Sequence, residues 1–268
     1  TTARTLPRPR RLNATEALSL APALRADTLR GGLLAWDGQL EDDARLVVTV
    51  ARTAASHGAH VRTRARVVAA TGTTVELRDE LTGATREVRA RAVVNATGVW
   101  AGALDEQVRL RPSRGTHLVL RGSALPHTRV AVMVPIPGTG ARFAMVLPQP
   151  DGTIYVGLTD EPVTGPVPDV PVPSEGEIDF LLGVVASAFA TPPARDDVVG
   201  TYAGLRPLLE VSGARDDATA DLSRRHAILT SRTGVRTVVG GKLTTYRRMA
   251  EDVLDALVAE GRLEGGAC

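Results

Sequence analysis

Residues 235–247 read Val235-Arg236-Thr237-Val238-Val239-Gly240-Gly241-Lys242-Leu243-Thr244-Thr245-Tyr246-Arg247. The first five predict a strand and the glycine pair ends it. Tyr246, Met249, Val253, Leu254 and Leu257 then recur at helical spacing, which predicts a helix that buries this face. A buried strand followed by a glycine pair and a helix N-terminus makes a cradle for a phosphate or a polar ring. The N–H groups of a first helical turn lack partners and carry the positive end of the helix dipole.

Upstream, Ala92-Val93-Val94 is an unbroken apolar run, the mark of a strand buried on both faces of a parallel sheet, and it ends in Asn95-Ala96-Thr97-Gly98. Before it, Val61–Ala69 alternates as a strand, and Thr74–Arg78 with Thr85–Arg89 reads as a hairpin around Thr82-Gly83. Asp42 and Asp43 start a helix on which Ala44, Val47, Val48, Ala51, Ala54 and Ala55 form one face to be buried, and His57-Gly58 ends it. Helix, strand, hairpin and buried strand make the second half of a nucleotide-binding α/β unit, whose first half would precede it. Nearer the N-terminus, Thr15–Leu24 reads as a helix capped by Asn13 or Thr15, and Leu29–Asp37 as a short strand broken by glycines.

The middle of the chain follows another pattern. Thr116–Leu120, Val130–Pro135, Arg142–Leu147 and Thr153–Leu158 are short strands, separated by turn residues at Gly138-Thr139-Gly140 and Asp151-Gly152, and they predict an antiparallel meander. An extended Pro/Val-rich connection, 162–173, leads to Ser174 and Glu177, a capping box for a helix with Ile178, Leu181, Leu182, Val185 and Phe189 at helical spacing. Residues 212–221 read as a mobile acidic loop.

At 268 residues the chain is long enough for one large domain or two modest ones, and its mean hydropathy is near zero. A formal charge of +2 gives no argument for a nucleic-acid partner. Cys268 is the only cysteine, which rules out an internal disulfide and a cysteine metal site, and a reducing compartment fits. No His/Asp/Glu cluster has metal-ligand spacing, and no nucleophile elbow is visible. No stretch approaches the roughly 18 consecutive apolar residues of a membrane span. Thr1–Arg11 is polar and basic, unlike a secretory signal. The chain has no initiator Met, so it is either processed or a piece of a longer protein. Lysine is so rare that Lys242 stands out.

Five stretches carry a resemblance: Asp37-Gly38 with Asp42-Asp43-Ala44-Arg45-Leu46; Val94-Asn95-Ala96-Thr97-Gly98; Arg114-Gly115-Thr116-His117; Gly204-Leu205-Arg206-Pro207-Leu208; and Gly240-Gly241-Lys242-Leu243-Thr244-Thr245-Tyr246-Arg247. Together, in this order, they resemble the FAD-dependent glycerol-3-phosphate dehydrogenases of the D-amino-acid-oxidase-like flavoprotein superfamily. The likeness runs from about residue 12 to residue 259. Gly157-Leu158-Thr159-Asp160 stands close to the family's Gly-Thr-Thr-Asp, with a departure at Leu158. Two features of the family are missing. No Gly-x-Gly-x-x-Gly turn, which would hold the FAD pyrophosphate, occurs in the chain, and the C-terminal helical domain is absent, so the resemblance implies a fragment.

The resemblance implies an α/β fold in which a partial FAD-binding Rossmann-like domain (41–103 and 227–262) is intermingled with an antiparallel-sheet substrate domain (8–40 and 104–226). It implies FAD as cofactor and oxidation of sn-glycerol 3-phosphate to dihydroxyacetone phosphate, with a quinone as electron acceptor. It also implies a cytoplasmic protein held peripherally on the inner face of the cell membrane. Arg206 and Arg224 are the expected phosphate ligands, because a guanidinium grips phosphate through two parallel hydrogen bonds; Arg225 competes with Arg224. Lys242 is expected to face flavin and substrate, and to meet Arg206 across one pocket floored by the flavin ring. His117 is the candidate base, with an imidazole suited to taking a hydroxyl proton, although a lone strand histidine is often structural. Thr159 and Asp160 are expected to line the substrate pocket or simply to form a turn after a strand. Asn95, Thr97 and Gly98 are expected beside the FAD diphosphate or ribose, and Gly240, Gly241, Lys242, Leu243, Thr244 and Thr245 around the flavin ring.

Two other readings stand beside this one. The first is a related flavin oxidase with another small substrate or with oxygen as acceptor. The second is a non-catalytic fragment that does not retain FAD. Without the pyrophosphate turn, the chain alone is expected to be colourless and inactive, and a full-length parent yellow.

Overall fold

Three helix starts are set by side chains that satisfy the first-turn N–H groups. Asn13 accepts from the Glu16 amide at 2.9 Å while Glu16 accepts from the Asn13 amide at 2.9 Å. Ser174 and Glu177 form the same reciprocal pair, and Asp42 accepts from the Arg45 amide at 2.8 Å. The structure, a computed structural model, describes residues 6–139, 142–210 and 226–265. The expected loop at 212–221 lies outside the described residues.

The chain opens with β1 (Arg10–Asn13), α1 (Ala14–Leu20), β2 (Gly31–Leu34) and α2 (Asp43–Ser56). Next come β3 (Ala65–Ala70), β4 (Thr74–Asp79), β5 (Thr85–Arg89) and β6 (Val94–Asn95). The meander comprises β7 (Leu110–Arg121), β8 (Val132–Pro135), β9 (Phe143–Pro148), β10 (Thr153–Gly157) and β11 (Glu161–Pro162). It is followed by α3 (Glu175–Ala188), β12 (Val198–Leu209), β13 (Ala227–Thr230), β14 (Arg236–Val239) and α4 (Tyr246–Ala259). The fold is mixed α/β, divided into two compact units.

The first unit takes Thr1–Thr53, Gly115–Thr159 and Val170–Gly204. Its sheet pairs the second half of β7 with β10, β10 with β9, and β9 with β8, all antiparallel. Side chains alternate across a strand, so Leu118, Leu120, Val134, Ala144, Val146, Ile154 and Val156 share one face. They are buried against Ile178, Leu181, Val184 and Val185 of α3. The opposite face carries His117, Val119, Met145, Leu147 and Tyr155.

The second unit takes Ala54–Arg114, Asp160–Asp169 and Leu205–Cys268. β13 pairs antiparallel with β14, and β14 parallel with β6. β3, β4 and β5 make a separate antiparallel sheet. Ala101, Val108 and Val239 are the buried centre of a small core.

Three expectations of burial need correction. No residue of α2 is buried, and Val47 and Val48 are 55% and 57% exposed. Periodicity reports which face is apolar, whereas burial requires a partner. The run at Ala92–Val94 pairs only over Val94–Asn95, with Asn95 buried and Val94 exposed. On α4 only Val253 and Leu257 are buried; Tyr246 and Leu254 are exposed and Met249 half-buried.

Candidate functional site

In the second unit, β6 and β14 run parallel and both end in glycine turns, at Gly98 and at Gly240-Gly241. The carboxyl ends of parallel strands are where open α/β sheets place ligands. Asn95 is 2% exposed and its side chain is used inside the protein. Its amide donates to the Ala101 carbonyl at 3.1 Å and its oxygen accepts from the Thr97 hydroxyl at 2.6 Å. Asn95 and Thr97 therefore shape the turn with their side chains. Gly98, at φ 61°, has open space where a β-carbon would stand.

Gly240 and Gly241 adopt φ 73° and 75°. Behind Gly241 lie α4 and His226: a β-carbon there would come 2.5 Å from Met249 Sδ and 3.3 Å from His226 Cβ. Thr245 closes the turn, its hydroxyl accepting from the Lys242 amide at 3.1 Å and lying 2.9 Å from the Lys242 carbonyl, so it acts on the backbone of the cradle. Lys242, Leu243 and Thr244 are exposed. His226 was not assigned a role by sequence reasoning, yet its Nε2 lies 2.8 Å from Asp252 Oδ2, and Asp252 Oδ1 lies 2.8 Å from Arg248. This chain of contacts ties the entry of β13 to α4 beside the glycine pair.

Arg206, on β12, is anchored in the second unit. Its NH1 group lies 3.1 Å from Asp160 Oδ1 and 3.1 Å from the hydroxyl of Ser113, which itself donates to Asp160. The pairing of Ser113 with Pro162 and of Arg114 with Glu161 brings these groups together. A guanidinium held along one nitrogen has a defined plane, as recognition of phosphate requires.

His117 lies in the first unit, on the sheet face opposite α3. Its ring stacks on Tyr202, with centroids 4.7 Å apart and planes 7° apart, and Tyr155 meets Tyr202 edge-on at 5.7 Å. Gly157 is the cross-strand partner of His117. Burial pushes the Tyr202 phenol up to about 12, helped by the phenol of Tyr155 and the carboxylate of Asp43.

Thr159 is 3% exposed, and its hydroxyl accepts from the Thr116 amide at 2.9 Å and donates to Glu177 at 2.7 Å. Arg224 lies outside the described residues. A cavity of about 790 Å³ in the second unit, lined by Trp100, Val108, Arg111, Pro162 and Glu210 among others, contains none of the expected site residues. Among the described residues, no group of three or more His, Cys, Asp or Glu is placed to hold a metal ion, and no helix is long and apolar enough to cross a membrane.

A family model described as "FAD dependent oxidoreductase" (DAO) matches residues 2–247. The chain belongs to this FAD-dependent oxidoreductase family. Within it, the chain is 52% identical over 269 residues to glycerol-3-phosphate dehydrogenase 1 of Mycobacterium tuberculosis, covering 100% of this chain and 52% of the relative. It is 34% identical to the mitochondrial glycerol-3-phosphate dehydrogenase of Homo sapiens, covering 95% of this chain and 37% of the relative. A glycerol-3-phosphate dehydrogenase from Bacillus halodurans, solved in complex with FAD, superposes with a TM-score of 0.80 at 28% identity, covering 97% of this chain and 53% of that one. The chain thus spans 37% to 53% of the length of these proteins.

FAD is the cofactor of the oxidoreductase family, and the residues present fit part of it. The half-buried Gly98 and Gly240-Gly241 turns stand at the ends of two parallel strands, and exposed Lys242 follows the second turn. Backbone N–H groups and a lysine suit an electron-rich ring edge or a phosphate.

Proposed function

We propose that the whole protein to which this chain contributes oxidises sn-glycerol 3-phosphate to dihydroxyacetone phosphate and passes the electrons to a quinone from the inner face of a membrane. The observation that carries this reading is Arg206, a half-buried arginine held in plane by Asp160 and Ser113, in a chain 52% identical to a protein named glycerol-3-phosphate dehydrogenase. When bound, the flavin supplies an acceptor for the hydride leaving C2. Arg206 grips the substrate phosphate, with Arg224 as the second ligand. His117 takes the C2 hydroxyl proton, so that loss of one hydride and one proton leaves the ketone. Lys242 stabilises negative charge on the ring edge, and the main chain of Gly240, Gly241, Leu243 and Thr244 lines that edge. We assign the Gly98 and Gly240-Gly241 turns of the second unit to flavin binding. With no Gly-x-Gly-x-x-Gly turn in its sequence, the chain by itself is expected to purify without flavin colour.

Steady-state oxidation in the flavin-loaded protein at its relatives' full length tests the phosphate assignment. Arg206→Ala is expected to raise KM for sn-glycerol 3-phosphate by about 100-fold, in the range lost with a charge-assisted bidentate contact. An unchanged KM would remove Arg206 from the substrate site.

A further inference from the structure

We infer that Tyr202 is a positioning residue for His117: its ring face presses the imidazole against Gly157 and so fixes the direction in which the histidine takes a proton. The inference rests on the reading of His117 as the base, and it concerns what makes that base effective.

The imidazole is enclosed from two sides within one unit. On one side, Gly157 is directly opposite His117 across the antiparallel pair of β7 and β10. A β-carbon at 157 would collide with His117 Cδ2 and stand 2.7 Å from Nε2, so the ring occupies the space that any other residue would fill. On the other side, the Tyr202 ring lies nearly parallel at 4.7 Å. Tyr202 is itself held, because Tyr155 abuts it edge-on at 5.7 Å and 70°. Tyr155 belongs to the same strand as Gly157, so one strand sets both the floor under the histidine and the edge contact to the tyrosine.

A histidine on an open sheet face has several rotamers available, and each wrong one removes it from the reacting proton. The sandwich leaves one ring plane. General bases act over heavy-atom distances of about 3 Å, and a displacement of about 1 Å can cost about 100-fold in rate. The phenol, pushed up to about 12, stays neutral at working pH, so Tyr202 acts through its ring face and not as an anion.

The test compares His117→Gln, Tyr202→Leu, Tyr202→Phe and Gly157→Ala in the flavin-loaded protein at its relatives' full length, with melting temperature and flavin content measured for each. Tyr202→Leu and Gly157→Ala are expected to lower kcat by about 10-fold or more with KM changed less than about two-fold, since position and not binding is lost. Tyr202→Phe, which keeps the ring face, is expected to restore kcat to within about two-fold of the parent protein. If Tyr202→Leu keeps kcat while His117→Gln loses it, the positioning role is overturned and the base stands. Equal losses in the Phe and Leu variants would also overturn it, by showing that the hydroxyl matters and the ring face does not. If His117→Gln keeps kcat, the reading of His117 as base fails, and this inference fails with it.

Discussion

Arg206 and Asp160, 46 residues apart in sequence, form a half-buried ion pair, with NH1 3.1 Å from Oδ1 and with Ser113 bonded to both partners. The pair gives the proposed phosphate ligand a fixed plane. It also partly neutralises the arginine, which limits the desolvation cost of holding a guanidinium at 20% exposure.

Replacing Asp160 by Asn keeps shape and removes the countercharge. The variant is expected to lose about 1–3 kcal/mol of stability, the range for a half-buried charged group deprived of its partner. KM for sn-glycerol 3-phosphate is expected to rise less than in Arg206→Ala, because the arginine remains. Denaturant midpoints and steady-state kinetics check both, and unchanged stability would mean that the pair is not made in solution.

The Glu177 carboxylate is used on both oxygens. One oxygen accepts from the Thr116 and Thr159 hydroxyls at 2.8 and 2.7 Å, and the other from the Ser174 amide and hydroxyl at 2.9 Å each. Glu177→Ala leaves these donors without their acceptor in a buried place, and a destabilisation of about 3–5 kcal/mol is expected. Glu177→Gln retains one accepting oxygen and is expected to fall between the two. Chemical denaturation ranks the three proteins.

Gly241 combines a left-handed backbone with close backing by Met249. Gly241→Ala is expected to cost about 1–2 kcal/mol from the backbone alone, with a further penalty for displacing Met249. Because the turn is the proposed flavin cradle, flavin per polypeptide in the flavin-loaded protein at its relatives' full length is expected to drop in parallel. The absorbance ratio of flavin to protein measures this.

The Tyr202 phenol is raised from the ordinary value near 10 to about 12. An unfolded tyrosine loses its proton first, so stability due to this group is fully present below pH 10 and is lost as pH rises through about 12. One of the three tyrosines is therefore expected to ionise late in an ultraviolet titration. Tyr202→Phe should remove that late step and flatten the alkaline decline in stability.

The sequence was most informative where chemistry is local. The Ser174–Glu177 capping box, the hairpin at Gly83, the meander strands and the Gly240-Gly241 turn are set by residues close in sequence, and periodicity or turn chemistry reveals them. Long-range relations were not legible. That Glu177 caps α3 could be read from spacing of three, but its hold on Thr116 and Thr159 depends on strand register. The same holds for His117 over Gly157 and for Arg206 beside Asp160. The bonds of the Thr159 hydroxyl to Thr116 and Glu177 likewise depend on the fold and not on local sequence. The apolar stripe of α2 was legible, yet its exposure was not, since amphipathicity does not say what covers a face.

The most direct test is anaerobic mixing of the flavin-loaded protein, at its relatives' full length, with sn-glycerol 3-phosphate, with glycine in parallel, while flavin absorbance is followed through a single turnover. The account predicts bleaching by sn-glycerol 3-phosphate, at saturating rates that Arg206→Ala reaches only at much higher substrate concentration, and no bleaching by glycine. Bleaching by glycine with none by sn-glycerol 3-phosphate would contradict it.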